Sequence, residues 1–410
     1  MNTLQDILFA VDHIQTHIEE RNDGYIEILS GDLSNLLFFL YHSQLFQNAV
    51  TEDRALKLIE NHIDLANEHI YNMKFAYGYP GLMWLMTFLE NNKIINSPIS
   101  ESTTVYVENL FLKSIQTNQK DKIYDLFYGA IGKCIYFLEC EELSKIGRQA
   151  IESTVNYLNS SKIFIDNNKI SWLDYYTSNH DKTKRENKEY FNTGLSHGVS
   201  SIIMFLCECV KKNVLTNICE QLIIKASNWL LSLIDDSFHP LMFPCKVLIG
   251  NDLYPAEFNR KLAWCYGDLG IALALAKAGS VLRNQNYLNQ SLNISLNAAK
   301  ITRSKLGSFI NFNNDTSDLC FCHGSSGNSH IFRELGKFFN NETLTNAANY
   351  WLDYTIKALN KNKITETCGI LEGLPGIGIV LLDQVASLQS STINFTWNKP
   401  FLTSLTINNR

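Results

Sequence analysis

The sequence predicts an all-α fold, an α/α toroid of seven inner and seven outer helices with a small β-containing insertion. Three observations predict it. A Gly-x-x-Gly or Gly-x-x-Ser string followed by an apolar run occurs seven times in the 410 residues. Amphipathic segments separate the copies. One more amphipathic segment precedes the first copy, so inner and outer helices match in number.

The copies are GDLSNLLFF at Gly31, GYPGLMWLM at Gly78, GAIGKCIYF at Gly129, GVSSIIMFL at Gly198, GDLGIALAL at Gly267, GSSGNSHIF at Gly324 and GLPGIGIVL at Gly373. They recur at intervals of 47, 51, 69, 69, 57 and 49 residues, as stacked helical repeats do. Each run has helical length and is apolar nearly all round, which predicts a buried inner helix. The glycines let the chain turn sharply and let backbones approach closely. Ser34 and Ser201 stand in for the second glycine in two copies.

The outer helices follow in order. TLQDILFAVDHIQTHIEE leads, then ALKLIENHIDLANEHIYN, TTVYVENLFLKSIQ, GRQAIESTVNYLNSS, QLIIKASNWLLSLID, NYLNQSLNISLNAAKIT and TLTNAANYWLDYTIKAL. A ring closed by the N-terminal helix meeting the last repeat satisfies this count. An open solenoid is the alternative, but it needs polar capping repeats, and the last repeat is among the most apolar. One toroid domain spanning residues 1–410 is therefore expected. Two intervals are long. One contains the charged loop SNHDKTKRENKEYF, Ser178 to Phe191. The other contains Asp235 to Arg260, with Pro240, Pro244 and Pro255, which argues against a helix. Residues 235–260 read as strands and turns inserted within the toroid, where binding faces often lie.

With 45% apolar and 19% charged residues the chain can bury a large core. Its net charge of −6 and the lack of a dense basic cluster exclude nucleic acid as the expected partner. The acidic start is unlike a signal peptide, and runs such as LMWLMTFL are too short to span a bilayer. A soluble, cytoplasmic protein is expected. The ten cysteines include no Cys-x-x-Cys pair, so most are expected to be buried and a few to act as ligands.

Chemistry emerges when the copies are aligned on their first glycine. The residue before it is Ser30, Tyr77, Tyr128, His197, Tyr266, His323 and Glu372; the one before that is Leu29, Ala76, Phe127, Ser196, Cys265, Cys322 and Leu371. Equivalent positions in a ring share one height, and neighbouring copies are close. Cys265, Cys322 and His323 should therefore meet. Two thiolates and an imidazole suit zinc with a fourth position open. A buried cysteine in each repeat beside a core histidine is the alternative. Cys320 has no equivalent in LAWCYG and is expected in the core.

His197, one copy earlier, is either a fourth ligand or an acid or base beside the metal. Asp125 fixes a histidine tautomer or anchors a cation, or else caps the inner helix. Tyr266 points into the cavity or packs. Arg260 and Lys261 hold a carboxylate or are solvated. The other histidines, His13, His17, His42 and His330 among them, are expected on the surface or in the core.

The strings GLSHG, WCYG and CHG, in that order on a seven-fold Gly-x-x-Gly background from Gly31 to Gly376, resemble the LanC family of lanthionine synthetase cyclases. The resemblance implies an α/α toroid with a single zinc ion. It implies Michael-type addition of peptide cysteines to dehydroalanine or dehydrobutyrine, giving the thioether rings of a lantibiotic. The family's zinc ligands carry onto Cys265, Cys322 and His323, its catalytic histidine onto His197 and its acid onto Asp125. Where the family often has an arginine, three places before the tryptophan, this chain has Lys261, with Arg260 one earlier. The family's small extra domain corresponds to residues 235–260. The implied partners are a dehydrated precursor peptide, a separate dehydratase and an exporter, in a complex at the inner membrane face. Because the repeats begin by about residue 31, a stand-alone cyclase is expected. The runners-up are a related protein that binds glutathione or adds it to dehydroamino acids, and a zinc-bearing helical scaffold without catalysis. A prenyltransferase subunit would want an Asp ligand that the alignment does not offer.

Overall fold

The computed structural model describes residues 4–19, 29, 31–69, 71–96, 99–175, 189–235, 241–249, 260–302, 319–361, 369–393 and 396–405. Fourteen α-helices lie among them. Seven are the inner helices: α2 (Asp32–Phe46), α4 (Tyr79–Asn91), α6 (Ala130–Glu139), α8 (Val199–Lys211), α10 (Asp268–Val281), α12 (Ser325–Phe339) and α14 (Leu374–Leu388). The outer seven are α1 (Leu4–Glu19), α3 (Ala49–His69), α5 (Glu101–Lys120), α7 (Lys145–Ser161), α9 (Thr216–Leu231), α11 (Gln285–Ala298) and α13 (Glu342–Leu359). Each is one of the segments expected from the sequence.

The repeat glycine starts every inner helix. Gly31, Gly129, Gly198, Gly267, Gly324 and Gly373 occupy N-cap positions, and Gly78 immediately precedes α4. The second glycine answers a close approach. The incoming turn lies so near the first helical turn that a Cβ on Gly327 would sit 1.8 Å from the Phe321 carbonyl oxygen, and one on Gly376 1.8 Å from that of Ile370. Among these N-caps, Gly267 alone has a positive φ, 93°. In the serine copies the hydroxyl turns back on the helix: Ser201 Oγ donates to the Gly198 carbonyl at 2.7 Å, and Ser34 Oγ to that of Gly31. Gly327→Ala is therefore expected to cost about 1–3 kcal/mol or more through overpacking. Ser201→Ala should cost only about 1 kcal/mol, one hydrogen bond. Denaturant unfolding of the two variants checks the ranking.

Inner helices are buried almost throughout. In α10, Asp268 to Gly279 are all buried, and the lysine among them, Lys277, is paired with Glu208 of α8 at 2.6 Å. Outer helices bury one stripe, as in α7, where Ala150, Ile151, Thr154, Val155 and Leu158 are inside. Serine and asparagine caps start several of them: Ser100 on α5, Ser144 on α7, Asn284 on α11 and Asn341 on α13.

The chain divides into two compact units. In the first, Met1–Asn72 with Ala76–Leu82 and Asn311–Ser404, α14 packs on α1 and α2, α3 on α2, and α13 on α12. The helix that precedes the first repeat thus meets the last repeat, as expected for a closed ring. In the second, Met73–Phe75 with Met83–Ile310 and Leu405–Arg410, α7 packs on α5 and α6, α8 on α9 and α10, and α11 on α10.

Four short strands also lie among the described residues. β1 (Ile163–Asp166) and β2 (Lys169–Ser171) form an antiparallel hairpin whose β2 lies on α9, an element the repeat pattern did not predict. β3 (Tyr190–Asn192) pairs antiparallel with β4 (Lys246–Leu248), which falls in the interval expected to hold strands and turns. Residues 236–240 and 250–259 of that interval lie outside the described residues, as do 178–188 of the charged loop, Ser30 and Cys368.

Candidate metal centre

Among the described residues, those aligned by the repeat lie in the turns that enter the inner helices. In the turn before α12, two successive pairs of side chains separate. Cys320 and Phe321 are fully buried, with Phe321 against Trp397 at 5.2 Å and Phe401 at 5.6 Å between ring centres. Cys320 is in the core, as expected. Cys322 and His323 are only partly buried, and the Cys322 amide donates to the Leu371 carbonyl at 2.7 Å.

Cys265 is 6% exposed, in the turn before α10. Its carbonyl accepts from the Leu195 amide at 3.0 Å, the Ser196 amide at 3.3 Å and Ser196 Oγ at 3.2 Å. The GLSHG turn is thereby fastened to the WCYG turn. Gly194 permits this contact, because a Cβ there would stand 2.4 Å from the Cys265 oxygen.

Cys265, Cys322 and His323 each offer one ligand atom, and the three atoms lie within 4.8 Å of one another. A tetrahedral ion bound at about 2.0–2.3 Å holds its ligands about 3.3–3.8 Å apart. The observed spacing is near that range, and the mixed thiolate–imidazole donor set suits a single soft or borderline ion such as zinc. Among the described residues no other group of three such side chains gathers in this way.

His197 enters from the fastened turn. Its Nδ1 hydrogen-bonds Asp125 Oδ2, so Nδ1 carries the proton and Nε2 remains for chemistry. The other oxygen, Oδ1, accepts from the amides of Phe127 and Tyr128, both at 2.8 Å. Asp125 therefore caps its own turn. It does not cap the inner helix, whose N-cap is Gly129 without a side-chain bond. Aromatic rings hold the imidazole on three sides: Tyr128 stacked at 5.9 Å and 6°, Phe127 edge-on at 6.0 Å and Tyr266 tilted at 6.4 Å. Burial works to lower the His197 pKa, but the Asp125 carboxylate, with Asp174 and Cys265 behind it, outweighs burial and leaves the pKa raised.

The two cations before WCYG separate. Arg260 is 5% exposed and is spent on the Leu241 carbonyl and Asp235, each at 3.2 Å. Of the two readings of Arg260, the one that has it hold a carboxylate stands, with Asp235, and the solvated one fails, because its partners lie 19 and 25 residues upstream. Lys261 Nζ lies 5.4 Å from the centre of the Tyr266 ring, which in turn is 6.4 Å from that of His197. Sequence reasoning missed Asn192 and Asp174. Asn192 Oδ1 accepts from the Gly194 amide at 2.9 Å, while its Nδ2 donates to Asp174 at 2.7 Å and to the Tyr266 hydroxyl at 3.4 Å. Its place six residues before the repeat glycine was the available signal. His13 and His17, expected on the surface or in the core, have rings 4.4 Å apart on α1.

The family model for lanthionine synthetase C-like proteins matches residues 26–401. The chain belongs to this family. The solved structure of a nisin cyclase superposes with a TM-score of 0.76 at 18% identity, covering 97% of this chain and 98% of that one. That likeness shows the fold of this LanC-like protein to be the α/α toroid expected from its repeats. No curated protein matches it.

Proposed function

We propose that this LanC-like protein is a zinc-dependent lantibiotic cyclase. It joins peptide cysteines to dehydroalanine or dehydrobutyrine, forming lanthionine and methyllanthionine rings. The observation that carries this reading is the gathering of Cys265, Cys322 and His323 beside a turn that presents a carboxylate-held histidine. The three residues would hold zinc and leave one position for a substrate sulfur. Zinc, when bound, would supply the charge that keeps that sulfur a thiolate.

The addition needs no oxidant and has no leaving group. A new bond forms between sulfur and the β-carbon, the alkene π pair moves to the α-carbon and its carbonyl, and a proton then adds at the α-carbon. The chain must store that proton near the carbonyl. His197 suits this role, because its raised pKa keeps more imidazolium near neutral pH and the Asp125 bond at Nδ1 directs the Nε2 proton outward. His197 is not among the side chains whose ligand atoms gather within 4.8 Å, which favours the general acid over the fourth ligand. Asp125 and the aromatic rings fix the imidazole, and Lys261 sets its charge against the Tyr266 ring, one of those three.

We further propose that the substrate is a precursor peptide dehydrated by a separate enzyme, in a complex with an exporter at the cytoplasmic membrane face. Among the described residues no helix is long and apolar enough to cross a membrane. Purified protein is expected to carry one zinc per chain and to add peptide cysteines to dehydroamino acids within one chain, read as loss of free thiol by alkylation and mass spectrometry. Capture of added glutathione with no ring closure would favour the glutathione alternative. A protein that holds zinc and does neither would be a scaffold.

A further inference from the structure

Lys133 on α6 is 1% exposed. It stands four places after a repeat glycine, where the other six copies have Asn35, Leu82, Ile202, Ile271, Asn328 and Ile377. No other copy places a cation there, so the helix position itself does not call for one. Burying an ammonium costs several kcal/mol unless partners offset it. Among the described residues Lys133 has no carboxylate bonded to it. Its Nζ donates to the Gly129 carbonyl at 3.0 Å and the Tyr128 carbonyl at 3.4 Å.

Both carbonyls belong to the turn that serves His197. Asp125 grips this turn through the amides of Phe127 and Tyr128, and Lys133 grips its carbonyls from the helix side. The turn so held delivers Asp125 to Nδ1 of His197 and lays Tyr128 flat against the ring. Lys74 Nζ lies 5.8 Å from the outer partner of that stack, Tyr128.

We propose that Lys133 is a positioning residue: it locks the turn Asp125–Gly129, so that Asp125 and Tyr128 hold the His197 imidazole in its working orientation. This inference rests on the proposed function, because it takes His197 as the proton donor. Burial pushes the Lys133 pKa down to about 7 and Lys74 adds to the fall, while Cys134 and Asp125 oppose it. An amine in so dry a place is sensitive to its hydrogen-bond partners, as a lock must be.

The test compares wild type, Lys133→Met, Lys133→Gln, Asp125→Asn and the Lys133→Met/Asp125→Asn double variant. Cyclisation of a dehydrated peptide, zinc content and the ¹⁵N shifts of the His197 ring are measured. Lys133→Met is expected to keep its zinc and to lose about 10- to 100-fold in kcat at unchanged KM. Lys133→Gln, which retains a donor and serves if the methionine variant does not fold, should lose less. The double variant should be no slower than Asp125→Asn alone, since both act through one imidazole. Unchanged kcat in Lys133→Met, or losses that multiply in the double variant, would overturn the assignment. If wild type binds zinc without cyclising, the proposed function fails instead. The ring shifts still decide the positioning role in that case: His197 shifts identical to wild type in Lys133→Met and in Lys133→Gln refute it.

Discussion

Cys322→Ala is expected to strip the zinc and lower cyclisation by about 10²-fold or more, while Cys320→Ala, two residues away, leaves both intact. The two cysteines differ in where the turn sends them. Cys320 is fully buried, whereas Cys322 is partly exposed and grouped with Cys265 and His323. Removing one of three protein ligands leaves two, too few for a tightly held ion. The rate loss follows from the substrate thiol. With a pKa of about 8.5, only about 3% of it is thiolate at pH 7, so restoring full ionisation alone is worth about 30-fold. Holding the sulfur at the alkene adds to that. Cys320→Ala removes a small buried group and should cost about 1–2 kcal/mol of stability through the cavity it leaves. Metal analysis and thiol alkylation decide between the two. Full zinc in Cys322→Ala would sink the metal assignment.

The repeat made the fold legible. A glycine before every inner helix is required by the N-cap turn, and that requirement is local, so it stands in the sequence. The gathering of Cys265, Cys322 and His323 was legible for the same reason: equivalent places in neighbouring copies hold residues of one chemistry. What was hidden depends on distant partners. Arg260 reads as a solvated charge until Asp235 and Leu241 fold over it. The β1–β2 hairpin follows α7 almost directly, and its four- and three-residue strands are too short to show alternation. Asp125 was half legible. An aspartate before a turn suggests a cap, but which amides it caps depends on the path of the turn, and its bond to His197 spans 72 residues. Lys133 gave no signal, because a lysine inside an apolar run reads as a helix position reaching for solvent.

His197→Ala is expected to lower kcat by about 10²- to 10⁴-fold with zinc retained, the range for losing a positioned general acid. Asp125→Asn should lower it by a smaller factor and change its pH dependence. The sign follows from the pair. Asp125 raises the His197 pKa above the ordinary 6.5 despite burial. A general acid works only while protonated, so wild-type activity should persist above that pH and fall as pH rises through the raised value. Without the carboxylate, burial prevails, the pKa drops, and the alkaline limb moves to lower pH. Stability should follow the same sign. A histidine whose pKa is higher folded than unfolded contributes stability that is fully present below about 6.5 and is lost as pH rises through the folded value. Asp125→Asn should flatten this slope, as measured by unfolding at several pH values. Zinc content separates the roles. If His197→Ala loses zinc together with activity, the histidine is a fourth ligand. If it keeps zinc and full activity, the proton comes from elsewhere, and Lys261 or water becomes the donor to test.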